Sequence, residues 1–170
     1  MKNEVCRIIN RIITLYKPEE IVIEKLNFIS PNLSKRLNRL ISKFGKREIE
    51  NKFSSTSEEL NTKITYVNPA YTSQECSRCG YIDKGNRKSQ EEFKCKLCNL
   101  SLNADINGAK NIFKRSSLKE VSVYRSKKQV LRILTGNFLR DMERHRRLYS
   151  KALVLTSENP YFRSEMKGFT

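Results

Sequence analysis

Apolar residues in the amino-terminal part of the chain follow first a helical period and then short continuous runs. Six apolar or aromatic residues recur at helical spacing, with Lys and Arg between them: Val5, Ile8, Ile9, Ile12, Ile13 and Tyr16. This pattern predicts an amphipathic helix over residues 3–17 that ends at Lys17-Pro18. The runs Ile21–Ile23 and Lys63–Val67 predict two strands, and the stretch from Asn32 to Asn61 predicts mostly helix. Alternating strands and helices indicate an α/β fold.

The carboxyl-terminal half continues the pattern with helices. Asn103 suits the N-cap of a helix whose apolar positions are Ile106, Ala109, Ile112 and Phe113. Residues 118–155 mix apolar side chains with many Arg and Lys, and they predict two helices divided near Gly136. The last residues, 159–170, contain Asn159-Pro160 and Gly168 and predict a loose end.

Four of the five cysteines form two C-x-x-C pairs, Cys76/Cys79 and Cys95/Cys98, with 15 residues between the pairs. This is the spacing of a four-thiolate zinc ribbon, because each pair turns both sulfurs inward from one tight knuckle. Gly80 and Asn99 follow the pairs, where a knuckle favours a residue that tolerates positive φ. With four sulfur ligands no position stays open for a catalytic water, so the sequence predicts a structural zinc.

Two disulfides or four buried thiols are the alternatives to zinc. Disulfides are typical of secreted proteins. The chain shows no apolar signal segment and no run long enough to span a membrane, so we expect an intracellular protein without a membrane partner.

The charge balance points to an anionic partner. The chain has 34 Lys and Arg against 18 Asp and Glu, a formal net charge of +16. A compact domain with this excess repels itself unless something anionic neutralises it, and nucleic acid is the usual candidate. An acidic protein partner stays open as an alternative.

Two carboxylates occupy positions suited to chemistry. Glu24 ends the apolar run Ile21–Ile23, at the rim where open α/β sheets present ligands, and Asp105 begins the helix after the cysteines. Each has a simpler interpretation. Glu24 can be a surface charge paired with Lys25 or a nearby Arg, and Asp105 can complement the helix dipole.

Three motifs in order carry a family resemblance: I-V-I-E-K-L-N, then N-P-A-Y-T-S-Q-E-C-S-R-C-G, then N-A-D-I-N-G-A-K-N-I after the second C-x-x-C. Over roughly residues 5–113 they resemble the carboxyl-terminal half of the RuvC-like nuclease domain of the transposon-encoded TnpB (OrfB) family. Compact type V CRISPR effector nucleases are similar. The resemblance implies a partial RNase H-like (RuvC) fold with an inserted four-cysteine zinc ribbon. The basic, mostly helical extension that follows has no counterpart that we recognise in the family.

The resemblance also implies a division of the chain and a chemistry. Residues 1–70 and 103–115 would be the RuvC-like parts, 71–102 the zinc ribbon, and 116–170 the extension. In this family, three carboxylates hold two Mg²⁺ ions at the active site. The nuclease cuts target DNA that a guide RNA has displaced. Glu24 and Asp105 match the second and third carboxylates.

The first carboxylate of the pattern, an Asp on an earlier strand, has no match, because Asp83, Asp105 and Asp141 are the only Asp residues and all follow Glu24. We expect that an upstream region of a longer nuclease, or a partner chain of a split nuclease, supplies the missing Asp. A third possibility is a non-cleaving zinc-ribbon protein that binds RNA or DNA as an accessory or repressor.

Polar and basic residues near the cysteines are candidate nucleic-acid ligands, because cations and hydroxyl or amide groups contact phosphates. Tyr81 and Phe93, which lie among them, either stack on bases or pack around the zinc. The candidates in the ribbon and in the predicted helix before it are Ser73, Gln74, Arg78, Lys84, Arg87, Lys88, Arg36 and Arg39.

Overall fold

The computed structural model describes residues 2–26, 32–41, 47–141 and 149–162. The chain divides into two compact units, Met1–Tyr66 and Val67–Thr170. None of the described helices is long and apolar enough to cross a lipid bilayer.

The described residues of the first unit form three helices and a two-stranded sheet. Helix α1 (Lys2–Tyr16) packs on α3 (Arg47–Leu60), α2 (Lys35–Ile41) lies between them in sequence, and β1 (Glu20–Glu24) pairs with β2 (Lys63–Val67). These bounds confirm the first predicted helix and both predicted strands. In α1, Ile13 is buried, while Ile8 and Ile12 on the same apolar stripe are about half exposed.

The second unit begins with a cysteine-rich loop that forms two knuckles. A short antiparallel pair, β3 (Glu92–Lys94) and β4 (Ser101–Asn103), frames the second knuckle, and helix α4 (Ala104–Ser116) follows β4 directly. Asn103 caps α4 as predicted, with its side-chain oxygen accepting from the backbone N–H groups of Asp105 and Ile106.

Helix α4 buries a polar face, contrary to the apolar face predicted for it. Its buried residues are Ala104, Asn107, Asn111 and Arg115, whereas Ile106 is 52% exposed and Phe113 69% exposed. The prediction is wrong because the polar side chains bind backbone carbonyls of the preceding loop, which a hydrocarbon face would leave without partners.

The carboxyl-terminal segment forms α5 (Lys127–Arg140) and α6 (Tyr149–Glu158). Ser126 and Gln129 begin α5 with a reciprocal capping box. The predicted division near Gly136 is wrong, since α5 runs through this glycine and buries Leu134 and Phe138 on either side of it. The basic residues 142–148 lie outside the described part of the chain.

The predicted loose end is also wrong for Asn159–Phe162. Phe162 is fully buried, with its ring stacked on that of Tyr81 at 5.5 Å and set edge-on to Phe138 at 5.2 Å. Asn159 Nδ2 donates to the Ile82 carbonyl at 2.8 Å. These contacts fold the extension onto the cysteine-rich loop, so that both share one hydrophobic core. Residues 163–170 lie outside the described part.

Candidate functional site

The four predicted sulfur ligands come together. The Sγ atoms of Cys76, Cys79, Cys95 and Cys98 all lie within 4.8 Å of one another. Cys76 Sγ lies 3.6 Å from Cys98 Sγ, and Cys79 Sγ lies 3.7 Å from Cys95 Sγ. Four sulfurs placed tetrahedrally around one ion with bonds of about 2.3 Å would be separated by about 3.8 Å, so the spacing fits a four-thiolate metal site.

Both knuckles are built in the same way. The Gly80 N–H donates to the Cys76 carbonyl at 2.8 Å, and the Asn99 N–H donates to the Cys95 carbonyl at 3.1 Å. Each closing residue has positive φ, 77° at Gly80 and 56° at Asn99. The prediction of positive φ at these two positions is confirmed. The matched turns aim two pairs of sulfurs at a common centre.

Proton sharing among the thiols prepares the cluster for a cation. Hydrogen bonds from the Cys79 and Cys95 thiols lower the pKa of Cys76. Hydrogen bonding to Cys76 in turn raises the pKa of Cys79 and of Cys95. The Cys76 thiolate is therefore favoured, and a divalent cation would supply the charge that favours deprotonation of Cys79 and Cys95.

A buried polar network fixes α4 to the first knuckle. Asn107 Nδ2 and Asn111 Nδ2 donate to the Glu75 carbonyl at 2.8 Å and 2.7 Å. Arg115 Nη2 donates to Glu75 Oε2 at 2.8 Å, and Arg115 Nη1 donates to the Ala70 carbonyl at 2.7 Å. The sequence reasoning missed these residues, although Asn107, Asn111 and Arg115 recur every four positions along one helix face.

This network positions Asp105, one of the two predicted carboxylates. Asp105 lies in the first turn of α4, and its side chain is 82% exposed. Arg87 Nη2 lies 3.7 Å from Asp105 Oδ1. Arg87 is itself held by the carbonyls of Ser89 and Gln90, to which its guanidinium donates at 3.1 Å and 2.9 Å. Asp105 is thus presented at the surface beside a cation fixed by the ribbon.

Glu24 lies at the end of β1, as predicted, and is half-buried. It belongs to the first unit and Asp105 to the second. The Mg²⁺ role predicted for the pair stays a prediction.

The predicted nucleic-acid ligands divide by exposure. Arg36 and Arg39 are exposed on α2, and Arg78, Lys84 and Lys88 are exposed on the cysteine-rich loop. Ser73 and Gln74 are half-buried, and Gln74 Oε1 accepts from the Tyr161 hydroxyl at 3.2 Å.

Of the two interpretations of Tyr81 and Phe93, base stacking is wrong. Both rings are fully buried in the core around the cysteines. They belong to the hydrophobic core that the ribbon shares with the carboxyl-terminal extension.

A known family model matches the middle of the chain. Residues 47–112 match the model of the Cas12f1-like TNB domain. That span contains the cysteine cluster and most of α4, whereas Glu24 and the extension lie outside it.

Individual proteins match over comparable stretches. The chain is 41% identical over 75 residues to the CRISPR-associated endodeoxyribonuclease Cas12f1 of Sulfoacidibacillus thermotolerans, which covers 44% of this chain and 18% of that protein. It is 42% identical over 76 residues to the protein named "Putative RNA-guided DNA endonuclease InsQ" of Escherichia coli strain K12, covering 45% of this chain and 19% of that protein.

A third relative matches over a longer stretch. The chain is 36% identical over 97 residues to the TnpB-like protein aq_aa05 of Aquifex aeolicus strain VF5, covering 54% of this chain and 31% of that protein. The matches span about a fifth of the length of the first two relatives. Through its cysteine-rich loop and the helix that follows, this chain is related to the TnpB-like proteins and the compact Cas12f nucleases.

Proposed function

We propose that the chain is the carboxyl-terminal RuvC and zinc-ribbon module of an RNA-guided, Mg²⁺-dependent DNA endonuclease. The observation that carries the proposal is the placement of Asp105 on a helix fixed to a four-cysteine cluster within the segment shared with Cas12f1. In this proposal, residues 1–70 and 103–115 form a partial RNase H-like fold, residues 71–102 the zinc ribbon, and residues 116–170 a basic extension.

Zinc is the proposed occupant of the cysteine cluster. Soft thiolates at tetrahedral spacing favour Zn²⁺, and four of them complete its coordination. A metal without an open position does no chemistry on a substrate. Its role here is to hold the two knuckles, and with them the loop on which α4 rests, in one arrangement.

Glu24 and Asp105 are the proposed magnesium ligands, because carboxylate oxygens suit Mg²⁺. When bound, two such ions activate a water and stabilise the leaving oxygen of a phosphodiester. A third carboxylate is required from an upstream region or another chain, since the Asp residues of this chain all follow Glu24.

Guide RNA and target DNA are the proposed partners. The exposed cations Arg36, Arg39, Arg78, Lys84 and Lys88 would contact phosphates, and Arg87, Ser73 and Gln74 would contribute where the strand meets the ribbon. The net charge of +16 supports this assignment.

A guided cleavage assay tests the proposal. The chain is combined with its upstream region and guide RNA, and cutting of a labelled target duplex is followed with and without Mg²⁺. We expect Glu24→Gln and Asp105→Asn each to reduce the rate at least about 100-fold, because each removes a charged metal ligand. The matched controls Glu19→Gln and Glu92→Gln should cut normally. Normal cutting by Asp105→Asn would refute the proposal.

A second candidate function is a non-cleaving RNA- or DNA-binding accessory or repressor, which the net charge of +16 and the four-cysteine cluster favour. This alternative predicts nucleic-acid binding that weakens steeply with salt and no Mg²⁺-dependent cutting, even when the upstream region is supplied.

A further inference from the structure

A cavity of about 290 Å³ opens where the first knuckle, α4 and the end of α5 meet. Arg78 on the knuckle, Lys114 on α4 and Arg140 on α5 all line it. Three separate elements therefore bring a cation to one place. One of the three belongs to the extension, which lies beyond the family match at residues 47–112.

The basic side chains lie at the accessible part of this cavity. Arg78 and Arg140 are exposed, and the Lys114 side chain is 51% exposed. Exposed cations on flexible stems can turn toward an anion at little cost. The arrangement is therefore suited to a ligand that carries negative charge.

The negative groups near the cavity are mostly withdrawn from it. Glu75 also lines the cavity, but it is buried, and its carboxylate accepts from Arg115 at 2.8 Å and lies 4.0 Å from Lys114 Nζ, so its charge is balanced. Cys79 is also buried, so that a thiolate there would lie behind the wall. Asp141, exposed on the rim, is the acidic group that opposes an anion.

Leu118 and the buried side chains of Leu134 and Phe138 form an apolar wall within the same lining. A cavity of this volume holds roughly ten waters at about 30 Å³ each, enough for a phosphate and part of its sugar. Exposed cations and buried hydrocarbon in one cavity match the two parts of a nucleotide.

We propose that this cavity binds a backbone phosphate of a nucleic-acid strand, with the sugar against the apolar wall. The inference rests on the proposed function, which supplies the strand, and extends it by giving the carboxyl-terminal segment a part in binding.

Binding of a labelled single-stranded oligonucleotide to the full-length, zinc-loaded chain, measured by fluorescence anisotropy over a range of salt concentrations, tests the inference. Arg78→Gln combined with Arg140→Gln should weaken binding about tenfold, the value of one charge-assisted contact. The slope of log K against log salt should fall by about 0.7, the value for one phosphate on a single strand. Asp141→Asn should tighten binding about twofold to threefold, because it removes the opposing charge.

The matched control is Lys127→Gln combined with Lys128→Gln, an equal change of charge on exposed residues at the other end of α5. It should weaken binding no more than about twofold. Equal losses in the two double variants, or no gain in Asp141→Asn, would overturn the cavity assignment while leaving nucleic-acid binding itself intact.

Two further results separate this inference from the proposed function. Inorganic phosphate that binds as tightly as the oligonucleotide, measured by calorimetry, would assign the cavity to a free anion and overturn the strand assignment. A chain that binds no oligonucleotide would overturn both proposals. If the variants show the predicted binding pattern but guided cleavage is absent, the phosphate-binding assignment of the cavity is supported and only the proposed nuclease function is refuted.

Discussion

Arg115 Nη2 lies 2.8 Å from Glu75 Oε2, and both side chains are almost completely buried. This ion pair joins the last turn of α4 to the residue just before the first zinc-ligand candidate, Cys76. Arg115 also donates to the Ala70 carbonyl, so a single guanidinium ties the helix to the loop at two points.

Arg115→Met should therefore destabilise the fold by about 3–5 kcal/mol, because it leaves the Glu75 carboxylate buried without its partner. Urea unfolding of the zinc-loaded chain measures this loss. Lys110→Met, an exposed cation on the same helix, is the control and should change stability by less than about 0.5 kcal/mol. Equal midpoints for the two variants would show that the pair does not hold α4.

Zinc binding should depend on the four clustered cysteines and not on Cys6. Cys95→Ser should reduce bound zinc from about one ion per chain to none and destabilise the ribbon, since the metal joins its two knuckles. Elemental analysis and circular dichroism follow the two changes. Cys6→Ser, in the first unit and outside the cluster, should keep its zinc. Full zinc content in Cys95→Ser would rule out the four-thiolate site.

The extension should contribute strongly to stability through its buried aromatic ring. Phe162→Ala empties the space beside Tyr81 and Phe138 and should cost about 3–5 kcal/mol. Tyr124→Ala removes an aromatic side chain that is 86% exposed in the same segment and should cost less than about 0.5 kcal/mol. Similar unfolding midpoints for wild type and Phe162→Ala would mean that the extension does not pack on the ribbon in solution.

Burial raises the pKa of Tyr81 from 10.0 to about 12. Between these pH values the unfolded chain loses this proton and the folded chain keeps it. Stability from the neutral phenol is therefore complete below pH 10.0 and is lost as pH rises to about 12, by up to about 3 kcal/mol. Urea unfolding across this range should show a steeper fall for wild type than for Tyr81→Phe. Parallel curves would contradict the shift.

The ribbon could be predicted from the sequence because its constraints are local. The two C-x-x-C pairs and the residues after them, Gly80 and Asn99, specify knuckles without reference to the rest of the fold. Asn103 likewise begins α4 through contacts with its immediate neighbours. Such signals need no knowledge of what packs against the element.

The buried face of α4 could not be predicted from periodicity, because the rule assigns apolar residues to the core. Asn107 and Asn111 are buried because carbonyls of a distant loop require donors. Gly136 suggested a break, yet the buried apolar residues around it hold α5 together. The sequence predicts that the segment containing Asn159 is a loose end. Only the tertiary structure brings the Ile82 carbonyl to the Asn159 side chain, which donates to it.

We propose that Glu24 and Asp105 bind the same metal centre when the upstream region is present. Anomalous diffraction from crystals of this chain with its upstream region, grown with Mn²⁺ in place of Mg²⁺, tests it most directly. We predict anomalous peaks about 2.1 Å from carboxylate oxygens of both residues. Peaks that contact neither residue, with Glu24 and Asp105 too far apart to share an ion, would contradict the account.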